Sequence, residues 1–109
     1  MYNRLVDLAS TTSKNGVLIR LTEERWKHIV LLHPNLSDKQ TSVLLTVKNP
    51  DYIFKGQAEE LLAVSKLSAR VYIVVAYKET KPAGFIITAY DTTNVRWLFK
   101  KELIWSKDS

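Results

Sequence analysis

The strongest constraint on this chain is a change of period at Asn49-Pro50. Before it, apolar residues recur at helical spacing; after it, up to Asp91, they fall in short β-rich runs. In the first part, Trp26, Ile29, Val30 and His33 lie at i, i+3, i+4 and i+7. Thr22 stands where an N-cap belongs, with Glu23 and Glu24 in the first turn, where the helix dipole favours anions. His33-Pro34 ends this helix, because the residue before a proline avoids the α region. A second helix is expected from the Ser-x-x-Gln capping box of Ser37 and Gln40, with Val43, Leu44 and Val47 as its stripe, to Asn49-Pro50.

The remainder predicts sheet. Residues 52–55, 60–67, 70–78 and 85–91 are rich in Val, Ile and Tyr and are separated by short turns, which predicts an antiparallel meander. Upstream, residues 2–8 are expected to form a first strand. A polar loop over residues 9–16, closing on Asn15-Gly16, leads to a second at residues 17–21. After Asp91 two patterns compete: Val95, Leu98, Phe99 and Glu102 have helical spacing, while Leu103-Ile104-Trp105 reads as a strand. The expected architecture is α+β, with two N-terminal helices packed on a roughly four-stranded antiparallel sheet.

One domain accounts for residues 1–109, since a single core serves chains of this length. The absence of cysteine excludes disulfides, thiolate metal sites and cysteine nucleophiles. No apolar run approaches the ~20 residues of a membrane span. Asp7 interrupts the opening segment where a secretory signal would be apolar, so the reading is a cytoplasmic protein with no membrane partner. The net charge of +5 is spread along the chain: seven Lys/Arg against five Asp/Glu up to Phe54, then nine against six. Such an excess suits RNA, whose phosphates dominate binding, and equally an acidic partner protein.

Strand parity sharpens that expectation. Val71, Ile73, Val75 and Tyr77 form an apolar face fit to lie under the helices; Arg70, Tyr72, Val74, Ala76 and Lys78 form the other. Taking Phe85, Ile87 and Ala89 as one face of the last strand puts Thr88 and Tyr90 on its opposite side, where they can meet Lys66, Arg70 and Tyr72 on an uncovered surface. Cations and hydroxyls there can hold a phosphodiester without metal, and tyrosine rings can stack on unpaired bases. An ordinary solvated sheet face has the same composition. His28 and His33 are offset by ~140° on a helix, too far round for a metal pair. Imidazole is nonetheless suited to general acid/base work near neutrality. No Gly-rich phosphate loop and no clustered carboxylates for a two-metal nuclease are present, Glu59 and Glu60 being adjacent in an expected strand; neither cofactor nor metal is expected.

The segments Arg25-Trp26-Lys27-His28-Ile29, Leu32-His33-Pro34-Asn35-Leu36, Val47-Lys48-Asn49-Pro50-Asp51 and Gly84-Phe85-Ile86-Ile87-Thr88-Ala89-Tyr90 occur in that order over residues 18–90. Together they resemble the barnase–EndoU–colicin–RelE-like nucleases of phages and bacteria. The resemblance implies a single nuclease-like domain with a metal-independent ribonuclease site on the sheet face away from the helices, in a family that includes the toxins of toxin–antitoxin pairs. By position, His28, His33, Thr88 and Tyr90 correspond to catalytic residues and Tyr72 with Lys66 or Arg70 to phosphate- or RNA-binding ones, to which Lys78 is added from the open face of its strand. No glutamate stands in the catalytic-base position of barnase. The alternative is a non-catalytic binding module of the same fold, either a toxin-neutralising partner or a nucleic-acid adaptor. Partners then include RNA, an antitoxin or other protein, and a second copy in a homodimer.

Overall fold

The computed structural model describes residues 6–108. Strands β1 (Asp7–Thr12) and β2 (Leu18–Thr22) form a hairpin, followed by helix α1 (Glu23–Leu32) and, after a 3-10 turn at Pro34–Leu36, helix α2 (Gln40–Lys48). Four strands follow, β3 (Tyr52–Lys55), β4 (Leu61–Lys66), β5 (Tyr72–Lys78) and β6 (Gly84–Thr92). A second 3-10 turn, Leu98–Lys100, precedes β7 (Leu103–Ser106). Thr22 caps α1 as its sequence implies, its Oγ1 accepting the Arg25 N–H at 3.1 Å.

Three local expectations change. Of the first strand expected at residues 2–8, residues 2–5 lie outside the described residues. β1 instead uses the Ser-Thr-Thr run assigned to a loop, which pairs with β2 from Ala9↔Leu21 to Thr12↔Leu18; β-branched threonines suit a solvated strand. The turn shrinks to Ser13 through Gly16, with Gly16 at φ +81°, a conformation that favours glycine. The Ser37 capping box does not form: the Ser37 N–H donates to the Pro34 carbonyl within the 3-10 turn, and α2 starts at Gln40 without a side-chain cap. Proline, with its fixed φ, seeds that tight turn and uses up the backbone on which the cap depended. Glu59 and Glu60 occupy the β3–β4 turn, where Glu59 has φ +68° and the Glu60 carboxylate accepts the Ala58 N–H at 2.7 Å.

The sheet is the larger correction. It has seven strands in the order β1-β2-β6-β5-β4-β3-β7 and is mixed, not four-stranded and antiparallel. Antiparallel pairing runs from β6 through β5 and β4 to β3, and β7 extends it. At the other side β2 joins β6 in parallel, through Ile19↔Gly84 and Arg20↔Phe85. Parallel neighbours need a long crossover, and both helices with three strands lie in this one. Nor are the helices N-terminal to the whole sheet, because two strands precede them. Gly84 permits the junction: a Cβ there would stand 1.9 Å from the Lys78 carbonyl oxygen and 2.8 Å from Ile19 Cδ1.

Each face of the sheet carries its own core. On the helix side Ile19, Leu21, Ile73, Val75, Tyr77, Ile86 and Ala89 pack with Ile29, Leu36, Val43 and Val47. The opposite side gathers Phe54, Leu62, Val64, Val74 and Ala76 around Leu98. Thus the face expected to be open is partly covered by the segment after β6. Leu98 is fully buried, and Phe99 sets its ring edge-on to Tyr52 and Phe54 at 5.4 and 5.3 Å. The apolar residues that read as a helix there act as a short lid, because a 3-10 turn brings both Leu98 and Phe99 down on the sheet.

The parity expected for β6 holds for Thr88, Ala89 and Tyr90 and fails for Ile86 and Ile87. Ala76↔Thr88 and Tyr77↔Ile86 leave Ile87 as an extra residue. This bulge places Ile86 and Ala89 in the helix-side core and Ile87 with Tyr90 in the other. The hairpin tip then closes over the top of the sheet. The Ser13 hydroxyl and the Asn15 amide both donate to the Glu79 carboxylate, and Lys14 Nζ lies 4.4 Å from the Trp105 ring centre on β7. Among the described residues, no helix is long and apolar enough to cross a membrane.

Candidate nucleic-acid interface

Proline after His33 stops α1, and the residue turns out of the helix at φ −133° and ψ 73°. β2 pairs with β6 only as far as Phe85, so further along β6 the edge on that side is free for α1 to lie against. His33 reaches round this edge to Tyr90, with ring centres 5.9 Å apart. From the other direction, a turn built on Thr92 and Asn94 reverses the chain. Thr92 Oγ1 donates to the Asn94 carbonyl at 3.0 Å, and Asn94 Oδ1 accepts the Arg96 N–H at 3.0 Å. That reversal stacks Trp97 on Tyr90 at 6.2 Å and 24°. All three rings are half-buried, so each keeps an accessible part. Burial pushes the Tyr90 phenol above its usual pKa.

The other expected site residues do not all converge here. His28 is exposed on α1 and, among the described residues, has no hydrogen-bond, ion-pair or ring partner. Thr88 lies on the Tyr90 side of the sheet, opposite Ala76 and two residues back along β6. Tyr72 packs into the same core as Tyr90 and stands opposite Thr92, with Lys66 opposite it on β4. Lys66 is exposed, but its charge faces Asp51, whose carboxylate accepts the Lys66 backbone N–H at 2.9 Å and binds Lys107 Nζ at 2.8 Å. Burial works to raise the Asp51 pKa; those hydrogen bonds and the two ammonium charges outweigh it and hold the carboxyl below its ordinary value. Arg70 projects from the β4–β5 turn and is exposed. Lys78 is at the far end of β5, ~20 Å from Tyr72 at strand rise, and pairs with Glu59 at 3.9 Å.

The cations left for a ligand are therefore Arg70, two residues before Tyr72, and Arg96 and Lys100, which flank Trp97 in the chain. All are exposed, and among the described residues none has an ion-pair partner. Trp97 was missed in the sequence, since its contact depends on how the chain reverses after Asp91. No group of three metal-ligating side chains occurs among the described residues. No protein-family model, curated protein or solved structure matches the chain.

Proposed function

We propose that this domain binds single-stranded RNA at the edge of its sheet, with Tyr90, His33 and Trp97 stacking on unpaired bases. The observation that carries this reading is Tyr90 standing between two other rings, one from the end of α1 and one from the segment after β6. A π-face accepts any base, and each such stack contributes about 1–3 kcal/mol. Arg70, Arg96 and Lys100 supply phosphate contacts, whose strength falls as salt rises. Titration of a fluorescent single-stranded oligoribonucleotide at low salt tests the reading. Wild type should bind, and Tyr90→Ala and Trp97→Ala should each weaken binding by about tenfold. No binding at low salt, or unchanged binding by both variants, overturns it.

A second reading adds metal-independent cleavage at the same place. It is favoured by the His33 imidazole lying beside the Tyr90 phenol, two groups able to exchange protons with a ribose hydroxyl and a leaving oxygen. Cleavage of RNA in EDTA, lost in His33→Gln even at protein concentrations that saturate the RNA, supports it. Intact RNA after prolonged incubation with wild-type protein rejects it.

A further inference from the structure

A groove runs along α2 on the helix side of the sheet, and no expected function used it. One end, of about 420 Å³, is lined by Asn35, Asp38, Lys39 and Ser42 on one wall and by Ser68 and Asp91 on the other. The next section, of about 410 Å³, is lined by Ser42, Thr46, Asn49, Ser65 and Lys66. Ser42 and Leu67 border both sections, so the two are continuous along ~15 Å of helix.

The groove starts where the stacking rings end. Asp91 follows Tyr90 in β6, and Asn35 follows His33 by two residues; the Asn35 amide donates to Asp91 Oδ2 at 3.4 Å, a long contact that leaves the carboxylate able to accept more. Its lining mixes hydroxyls and amides with the apolar side chains of Leu45, Leu67, Val71 and Ile73, and Lys39 and Lys66 are its cations. Ser65, which borders the second section, has a buried Oγ with no hydrogen-bond partner among the described residues. A buried hydroxyl without a partner is costly.

From this continuity and lining we infer that the groove takes the ribose–phosphate backbone of the strand whose base stacks on Tyr90, with Asp91 accepting a ribose 2′-OH. The inference rests on the RNA-binding reading above and adds a preference for RNA over DNA, because the 2′-OH is the group that tells them apart. Lys39 and Lys66 lie beside the path of the phosphates, although Asp38 and Asp51 temper their charge.

The test is fluorescence anisotropy with matched single-stranded RNA and DNA oligonucleotides on wild type, Ser42→Glu, Ser68→Glu and Tyr90→Ala. Both serines border the groove, so a carboxylate at either would repel a phosphate there. Ser68 is exposed in a turn, so its variant should fold even if Ser42→Glu does not; circular dichroism checks each. The expected result is RNA bound about tenfold more tightly than DNA, with each folded glutamate variant weakening RNA about tenfold and Tyr90→Ala weakening both ligands. Equal affinity for RNA and DNA, or wild-type RNA affinity in the folded glutamate variants, overturns the groove while Tyr90→Ala still reports on stacking. Absence of any binding by wild type overturns both readings.

Discussion

The rings of His33 and Tyr90 lie 5.9 Å apart although His33 ends a helix on one face of the sheet and the Tyr90 side chain points to the other. The contact exists because β2 stops pairing with β6 at Phe85 and proline ends α1 one residue after His33. A longer β2 would fill the edge that His33 uses.

His33→Ala should therefore weaken single-stranded RNA binding by about 1 kcal/mol, or roughly fivefold, without loss of fold. Oligonucleotide titration beside a thermal melt checks both halves. Wild-type affinity in this variant would remove His33 from the interface.

Leu98 is fully buried beneath the chain after β6 and anchors the second core. Leu98→Ala should cost about 3 kcal/mol through lost burial and the cavity left behind. It should also release Trp97 from Tyr90, visible as a change in near-ultraviolet dichroism. A urea transition shifted by less than about 1 kcal/mol would show that this segment contributes little.

Tyr77 is fully buried and its hydroxyl has no hydrogen-bond partner among the described residues. Tyr77→Phe should leave stability at neutral pH unchanged or raise it by up to about 1 kcal/mol, since no bond is lost and a desolvation penalty is removed. Burial first and the Glu79 charge second push the phenol's pKa up. Wild type should then lose stability as the pH climbs past about 10, where the unfolded phenol ionises and the folded one resists. The phenylalanine variant should show less of that alkaline loss in denaturation at two pH values. A destabilisation above about 1 kcal/mol at neutral pH would mean that the hydroxyl has a partner.

Asp51 has the opposite sign. Its folded pKa is lowered, so its contribution is present above the unfolded value near 4 and disappears as the pH falls through the lower folded value. Asp51→Asn should cost about 1–2 kcal/mol at neutral pH, by weakening its hold on Lys107 and on the Lys66 N–H, and should flatten the acid limb of the stability profile. Parallel pH profiles for both proteins would show that Asp51 does not titrate with folding.

The sequence alone determined the elements whose signals are local. Thr22 with its two glutamates starts α1, proline stops both helices, and residues 52–55 form β3 as read, because caps, prolines and β-branched runs act within a few residues. Only the tertiary structure decided the strand count, the parallel β2–β6 junction, the bulge at Ile87 and the lid of Leu98 and Phe99. Each depends on partners far along the chain, and the bulge inverts the faces read for Ile86 and Ile87 while Thr88, Ala89 and Tyr90 keep theirs. The candidate interface divides the same way. Tyr90 and His33 could be picked out as residue types; that they touch, that Trp97 joins them, and that Lys66 and Lys78 face carboxylates follow from long-range packing, which no local pattern encodes.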